Sequence, residues 1–193
     1  MNRKAEVLIK LINSSTIGPA VEIGSIRSAV EDAIEGFSTV YLARECKKSW
    51  RKFTSVELDP KNVTMANAIL KSFMLPECVL CADGARALMA MPPLAFLYLD
   101  SSRFPEHTWE QFVNANLLEG ATIAVDDAHP FDGHEWGKAQ CIVEYLKNIN
   151  MPFDVNYTSA DTRNVYRMIH FIVPAGKRSG ELPTCSLQRA HPV

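Results

Sequence analysis

The sequence predicts an α/β protein with a doubly wound, mostly parallel seven-stranded sheet that ends in an antiparallel strand pair. Short apolar runs alternate with helical periods five times, as in sheets covered by helices on both faces. The run "LAFLYLD" is almost wholly apolar, as expected of a parallel strand buried on both sides. The last two runs, "FDVNYTS" and "VYRMIHFIV", are joined by "ADTRN", which is too short for a crossover helix, so they should pair antiparallel.

The individual elements follow from local patterns along the chain. Pro60 suits the first turn of a helix, and Met65, Ala66, Ile69, Leu70 and Phe73 then form an apolar stripe at helical spacing. Gly120 is placed to end the helix before the fifth strand. The predicted strands fall within 17–24, 53–59, 77–82, 94–100, 121–127, 153–159 and 165–173. The predicted helices fall within 1–15, 60–73, 84–91, 105–118 and 134–149, with a further helix start near 35–43.

Composition limits the class of protein. The 193 residues, 47% hydrophobic and 22% charged, suffice for one domain over 1–175, and the polar, Pro- and Gly-rich 176–193 reads as a flexible tail. A net charge of −2 offers no general basic field for nucleic acid. No apolar run reaches the length of a membrane helix, and the N-terminus lacks a signal-peptide pattern, so a cytoplasmic protein is expected.

The five cysteines do not suggest a metal or disulfide framework. Their number is odd and their spacing irregular. Cys78 and Cys81 form a C-x-x-C, but it falls inside a predicted strand and no second pair exists for zinc. Both side chains are therefore expected in or near the core, and a reducing compartment fits.

Every predicted parallel strand finishes at a carboxylate. Any one of these acids could simply cap the following helix. Five strands in succession are better explained by a shared polar ligand, because such sheets bind ligands at their carboxyl ends. Glu57, at the end of the second strand, suits the two hydroxyls of a ribose, whether in a nicotinamide or an adenosyl cofactor. The strand-end residues are Glu22, Gly24, Glu57, Asp59, Asp83, Asp100, Asp126 and Asp127.

Five segments resemble, in order, the motifs of class I S-adenosylmethionine-dependent methyltransferases, which have a Rossmann-like fold. These segments are "EIG…GFSTVYLA", "FTSVELDP", "CADGARAL", "LAFLYLDSS" and "ATIAVDDAH". The likeness covers about Val21 to Val173, and small bacterial enzymes related to catechol and macrolide-sugar O-methyltransferases look most similar. Gly24 and Gly36 stand 12 apart, so the first loop carries an insertion over 26–35, either a lid or a longer surface turn. The resemblance implies cofactor contacts from Glu22, Gly24, Gly36, Ser38, Glu57 and Asp83, with Asp83 beside the adenine.

The same resemblance implies a divalent metal. Asp100, Asp126 and Asp127 occupy the positions that hold Mg²⁺ in metal-dependent O-methyltransferases, and three carboxylates are suitable hard ligands for it. The alternative is that Asp127 caps the next helix and Asp126 bonds the loop backbone. The segment "DSSRFPEH" departs from the related patterns, and Arg103 falls where catechol-type relatives have a lysine base. Arginine cannot lose its proton at working pH.

Histidine is the side chain best suited to replace that base. His129, two residues beyond Asp127, is the first candidate, with Asp100 as the second catalytic residue. His134 and His107 follow, whereas His170, inside a terminal strand, is expected to be structural. An apolar acceptor pocket could be lined by Phe104, Trp109, Phe131 and Trp136, although Trp109 fits a core position equally well.

The sequence therefore predicts an S-adenosylmethionine-dependent methyltransferase acting on an oxygen of a small molecule, with Mg²⁺ as a candidate assistant. The expected partner is this acceptor; neither nucleic acid nor membrane is indicated, and a homodimer stays open. Three alternatives remain. A nicotinamide oxidoreductase would want G-x-G-x-x-G, which "GSIRSA" does not supply. A non-catalytic binding protein and a cofactor-dependent enzyme that does not methylate would both keep the same fold.

Overall fold

A seven-stranded sheet with strand order β3-β2-β1-β4-β5-β7-β6 organises the chain. The structure is a computed structural model that describes residues 3–26, 37–101, 103–157 and 167–174. The strands are β1 (Ala20–Ile23), β2 (Phe53–Glu57), β3 (Val79–Cys81), β4 (Leu94–Leu99), β5 (Leu117–Val125), β6 (Asp154–Tyr157) and β7 (Arg167–Ile172). The helices are α1 (Arg3–Ser14), α2 (Ser38–Lys48), α3 (Pro60–Ser72), α4 (Gly84–Met89), α5 (Pro105–Asn114) and α6 (Gln140–Asn148).

Strand pairing confirms the predicted fold class. Strands β1 to β5 run parallel, whereas β7 is antiparallel to both β5 and β6. The strand order reverses beside β1, so β1 and β4 form the switch point at which open α/β sheets bind ligands. The carboxyl ends of β1 to β5 therefore lie along one edge of the sheet.

The core has two layers because helices cover both faces of the sheet. One layer packs α4, α5 and α6 against the sheet, with Trp109 and Phe112 of α5 among its larger side chains. The other packs α1, α2 and α3 against the opposite face, through residues such as Leu8 and Leu70. The side chains of β4 are buried along its whole length, as its apolar sequence predicts. No helix of the described ranges has the length and apolar character that crossing a membrane requires.

Several local predictions were wrong. Gly120 does not end a helix: α5 stops at Asn114, and Gly120 lies inside β5 at φ +74°. The register between β4 and β5 shifts at this point, since Leu94 pairs with Leu117 but Phe96 pairs with Thr122. A glycine permits the positive φ of this irregularity. Residues 117–120, predicted as the end of a helix and its cap, are therefore strand.

Other departures concern burial and helix length. In α3 the buried stripe is Ala66, Ile69 and Leu70, whereas Met65 and Phe73 are exposed. Cys81 ends β3 with an exposed side chain, although Cys78 is half-buried as expected. The helix expected over 134–149 begins only with a 3₁₀ turn at Gly137–Ala139. The predicted loop insertion over 26–35, apart from Ile26, and the tail over 176–193 lie outside the described residues.

Candidate functional site

Gly24 brings the ends of β1 and β4 into direct contact. Its φ is +95°, and a Cβ at this position would lie only 2.5 Å from the backbone oxygen of Asp100. The Gly24 N–H donates to the Val56 oxygen at 2.8 Å, and the Asp100 N–H donates to the Ile23 oxygen at 2.8 Å. The turn after β1 is thus held between β2 and β4, and only glycine fits there without displacing backbone.

A cleft of about 440 Å³ opens at the carboxyl ends of β1, β2 and β3. Three of the predicted cofactor residues line it, namely Gly24, Glu57 and Asp83. The rest of the lining comes from the ends of the same strands and from the segments around α3, α4 and α5: Ile23, Val56, Leu58, Asn62, Ala82, Gly84, Ala85, Ser101, Phe104, His107, Glu110 and Gln111. Polar and apolar residues both contribute to the lining, as in sites that bind small molecules.

Two of the three contacts of the Glu57 carboxylate are long. Its Oε2 accepts from the Ser25 N–H and the Ser25 hydroxyl, each at 3.4 Å, and its Oε1 accepts from the Asp59 N–H at 3.0 Å. The two contacts at 3.4 Å are long for hydrogen bonds. The carboxylate can therefore accept shorter bonds from vicinal hydroxyls without losing strong ones.

Asp83 both caps a helix and lines the cleft. Its carboxylate accepts from the Arg86 N–H at 2.9 Å, which makes it the N-cap of α4. Asp59 does the same for α3 by accepting from the Lys61 N–H at 2.8 Å. Capping thus accounts for part of the strand-end acids, as the simpler interpretation proposed. In Asp83 the two roles coexist, because an N-cap carboxylate keeps further acceptor sites.

Glu22 lies beneath the cleft and does not line it. Its side chain is fully buried and its Oε2 accepts from the Ser55 hydroxyl at 2.7 Å. Burial raises its pKa to about 7, an effect that the hydroxyls of Ser38, Thr39 and Ser55 oppose. The Ser55 hydrogen bond joins β1 to β2, whereas the buried Oε1 has no hydrogen-bond partner among the described residues. Ser38 is likewise buried at the start of α2, and Gly36 lies outside the described residues.

Next to the cleft, the acids after β4 and β5 come together as predicted. Asp100, Asp126 and Asp127 each place one carboxylate oxygen within 4.8 Å of the others. Asp100 adjoins Ser101, which lines the cleft and exchanges hydrogen bonds with Gln111 at 2.8 and 3.0 Å. The cleft and the acidic cluster are therefore neighbours, separated by a single residue step after β4.

Two lysines enter the acidic cluster. Lys4 of α1 contacts Asp126 and lies 3.3 Å from Asp100 Oδ2. Lys138, in the 3₁₀ turn before α6, lies 2.8 Å from Asp100 Oδ1 and 3.3 Å from Asp127 Oδ2. The Tyr98 hydroxyl donates to Asp126 at 3.0 Å and approaches Asp100 at 3.2 Å. The cluster is thus a network of two ammonium groups, three carboxylates and one phenol.

Charge pairing decides the direction of the pKa shift for Asp100 and for both lysines, whereas burial raises the pKa of Asp126. Burial alone would raise the pKa of Asp100, but Lys138 and Lys4 hold it below its usual range. Burial would lower the pKa of Lys4 and of Lys138, but the aspartates raise both. The two lysines are therefore ammonium ions at neutral pH. The carboxylate oxygens that a divalent cation would need already accept from them, so the residues as arranged do not fit a bound Mg²⁺.

The four histidines considered from sequence lie in different surroundings. His129 is half-buried, with Nδ1 4.0 Å from Asp127 Oδ1 at the rim of the acidic cluster. His107 lines the cleft and stacks edge-on with Phe104. The backbone of His134 bonds that of Phe131 in a turn. The ring of His170 contacts Asn156 and Asp154 within the terminal strand pair, which agrees with a structural role.

The four aromatic residues proposed for the acceptor pocket also lie in different surroundings. Phe104 lines the cleft, but Trp109 is buried in the core between Phe112 and Tyr145. Trp136 packs against Phe153 and carries Lys147 and Arg167 over its ring, at 5.4 and 5.3 Å from the centroid. Phe131 is exposed and lies 6.0 Å from the guanidinium of Arg103. Of the four, Phe104 alone belongs to the cleft lining of the described residues.

Sequence reasoning missed the two lysines, and with them Tyr98 and the Ser101–Gln111 pair. Lys4 interrupts an amphipathic helix and Lys138 precedes another, so neither carries a motif. One signal was available: three adjacent carboxylates need positive charge nearby, because burying them together without it is costly. A search for lysines near the same sheet edge would have included Lys138, which follows β5 closely. Lys4 could not be found this way, since its helix precedes β1.

Solved structures similar to this chain include several methyltransferases. An O-methyltransferase from Bacillus cereus in complex with SAH is 16% identical, and the match covers 88% of this chain and 80% of that one with a TM-score of 0.60. A SAM-dependent O-methyltransferase from Thermotoga maritima is 15% identical, over 91% of this chain and 66% of that one, with a TM-score of 0.62. An rRNA methylase from Streptococcus thermophilus is 9% identical, over 89% and 94%, with a TM-score of 0.59.

These similarities establish the fold. The mostly parallel seven-stranded sheet with its antiparallel terminal pair matches the Rossmann-like fold of S-adenosylmethionine-dependent methyltransferases, as the sequence motifs predicted. The sequence itself matches no protein-family model and no curated protein. The fold is therefore that of this class, and what the chain does with it is a matter of the site.

Proposed function

We propose that the protein is an S-adenosylmethionine-dependent methyltransferase. The observation that carries the proposal is the cleft at the ends of β1 to β3, with Glu57 and Asp83 on its wall and the Gly24 turn at its base. Glu57 would accept hydrogen bonds from the ribose hydroxyls, and Asp83, the predicted neighbour of the adenine, faces the same space. Gly24, whose lack of a side chain lets the backbone after β4 approach closely, itself lines the cleft.

The proposed acceptor is a hydroxyl group of a small molecule. The similar structures include O-methyltransferases, and the net charge of −2 does not favour RNA, although an rRNA methylase is also among them. The acceptor would lie beside Asp100, where the cleft meets the acidic cluster. Mg²⁺ assistance, expected from the sequence, is not part of this proposal, because Lys4 and Lys138 already contact the carboxylates.

The chain's own residues would act mainly by positioning. The chemistry supplied by the bound cofactor is a methyl group on a sulfonium, which an acceptor oxygen attacks in line. The side chains of Ser101 and Gln111, which are hydrogen-bonded to each other, would hold the wall of the cleft between the cofactor and the acceptor in place. His129 remains the predicted proton acceptor, and its ring lies at the rim next to Asp127. Asp100 would hold the network in place, with both of its oxygens contacting lysines.

Calorimetric titration with S-adenosylhomocysteine tests the cofactor assignment. Wild-type protein should bind, and Glu57→Ala should weaken binding by about tenfold or more, because two ribose hydroxyls lose a charged acceptor. Glu119→Ala is the matched control, since Glu119 is an exposed acid of β5 outside the cleft lining. Far-ultraviolet circular dichroism would confirm that each variant is folded.

The outcomes separate the alternatives. Binding that Glu57→Ala leaves unchanged would overturn the cofactor assignment, and binding of NAD instead would favour the oxidoreductase. If S-adenosylhomocysteine binds, S-adenosylmethionine is then incubated with a panel of hydroxylated small molecules and, in a separate arm, with ribosomal RNA. Methylation of the RNA alone would contradict the small-molecule proposal. Binding without transfer to any acceptor would favour the non-catalytic alternative.

A further inference from the structure

The acidic cluster after β4 and β5 contains two cations, the ammonium groups of Lys4 and Lys138. Lys138 contacts Asp100 and Asp127, and its side chain is only 5% exposed. Lys4 contacts Asp100 and Asp126, and its side chain is 13% exposed. Each of the three carboxylates thus has at least one lysine partner, and Asp100 has one on each oxygen.

The two lysines match a divalent ion in charge. Two ammonium groups carry a total charge of +2, so three carboxylates with two lysines have the same net charge of −1 as three carboxylates with one Mg²⁺. Mg²⁺ demands near-octahedral oxygen ligands and keeps several waters, whereas an ammonium group needs only acceptors. An ion placed among these oxygens would also stand beside two positive charges, whose repulsion is strong where water is excluded.

We infer that Lys4 and Lys138 take the place of a divalent metal, so this edge of the sheet is metal-independent and α1 forms part of it. The inference concerns the acidic cluster and does not need the cofactor assignment to be correct. Lys4 extends from α1, which packs on the face of the sheet opposite α5 and α6. The Lys4 ammonium nitrogen lies 5.8 Å from the centroid of the Tyr98 ring. Lys138 approaches from the other side, ahead of α6. The cluster therefore ties both layers of helices to the same strand ends.

Manganese binding to the full chain tests this inference directly, because Mn²⁺ occupies magnesium sites and is followed by its paramagnetic resonance signal. Wild-type protein should bind no Mn²⁺ up to about 1 mM, the weak end of carboxylate cation sites. Its thermal unfolding and its affinity for S-adenosylhomocysteine should be the same in Mg²⁺ and in chelator. The double variant Lys4→Met/Lys138→Met should gain Mn²⁺ affinity of about tenfold or more, since the carboxylates are left without cations.

Two further variants make the result specific. Lys10→Met/Lys71→Met removes two exposed lysines of α1 and α3 and should bind no Mn²⁺. Adding Asp126→Asn to the Lys4/Lys138 double variant should abolish the gained affinity. Wild-type binding of Mn²⁺ below 1 mM that Asp126→Asn removes would overturn the inference. Should the double variant fail to fold, the wild-type titration and the chelator comparison decide the matter alone. If neither the wild-type protein nor any variant binds S-adenosylhomocysteine, the proposed function is refuted, but the conclusion from the Mn²⁺ titrations is unaffected.

Discussion

At the scale of single residues, the turn after β1 depends on the absence of a side chain. Gly24→Ala should destabilise the protein strongly, because the new Cβ would lie 2.5 Å from the Asp100 oxygen at φ +95°. Gly133→Ala is a matched control: its φ is +79°, but nothing lies within 4 Å of the added Cβ. Backbone strain alone costs about 1 kcal/mol, and the clash should add roughly 2 kcal/mol or more.

Urea unfolding of the two alanine variants measures this difference. Equal losses in the free energy of unfolding would mean that the contact with Asp100 relaxes easily. In that case the close approach of β1 and β4 would not be the reason for glycine at position 24. Gly24→Ala should also lower the affinity for S-adenosylhomocysteine, whereas Gly133→Ala should not, since Gly133 is outside the cleft lining.

Glu22 should make stability depend on pH in an unusual direction. Burial raises its folded pKa to about 7 from an ordinary 4.5, so the folded state holds the proton more tightly than the unfolded state. Its contribution to the free energy of unfolding is therefore fully present below pH 4.5 and is lost as pH rises to about 7. The loss is of the order of 3 kcal/mol, from a difference of 2.5 pKa units.

Comparison with Glu22→Gln isolates this effect, because the amide does not titrate while the other groups remain. The difference in free energy of unfolding between variant and wild type should grow in favour of the variant between pH 4.5 and 7. Urea titrations at several pH values measure it, with Glu119→Gln at an exposed position as control. A difference that stays constant over this range would show that Glu22 has an ordinary pKa.

At the scale of elements, the edge strand β3 obtains a partner from a helix. The Val79 N–H donates to Asn67 Oδ1 at 3.1 Å, and Asn67 Nδ2 donates to the Val79 oxygen at 3.2 Å. The carboxamide of α3 therefore satisfies backbone groups that a further strand would otherwise satisfy. This contact also blocks the edge of the sheet at its middle.

Asn67→Ala should lower the free energy of unfolding by about 1–3 kcal/mol, because both backbone groups of the buried Val79 lose their partner. Asn148→Ala, at the exposed end of α6, should change it by no more than about 0.5 kcal/mol. Thermal and urea unfolding of the two variants give the comparison. Similar small effects from both substitutions would indicate that water replaces the Asn67 contacts without cost.

Elements with strong local signals were predictable and those shaped by distant contacts were not. The apolar run of β4 predicted the parallel core, because a strand buried on both faces has few alternative positions. The short link before β7 predicted the antiparallel pair, because so short a loop leaves few alternative connections. The beginning of β5 was missed because Leu117 and Leu118 continue a helical pattern, and only the register with β4 shows that they are strand. Gly120 reads as a helix cap by local rules, whereas its φ of +74° belongs to the irregular pairing.

At the scale of the whole molecule, the sheet divides its edge into two functional regions. The cleft lies at β1 to β3, and the acidic cluster lies at β4 and β5. The carboxylates of both regions were predictable because parallel strands place their ends together. Lys4 was not predictable, because the position of α1 depends on packing against the face opposite α5 and α6. Lys138 could be sought only among the lysines that follow β5, because no motif marks it. The sequence therefore predicts the three aspartates of the cluster, but it has no motif for the two lysines that pair with them.

The pairing of Lys4 also bears on how the protein is made. Lys4 is separated from its partners Asp100 and Asp126 by 96 and 122 positions, so it leaves the ribosome long before either of them. The contact between Lys4 and Asp126 therefore has to wait until β5 has been synthesised, and closing so long a loop is slow. The complete ion-pair network therefore forms only after Lys138 has been synthesised, and a product truncated before Asp100 cannot assemble it.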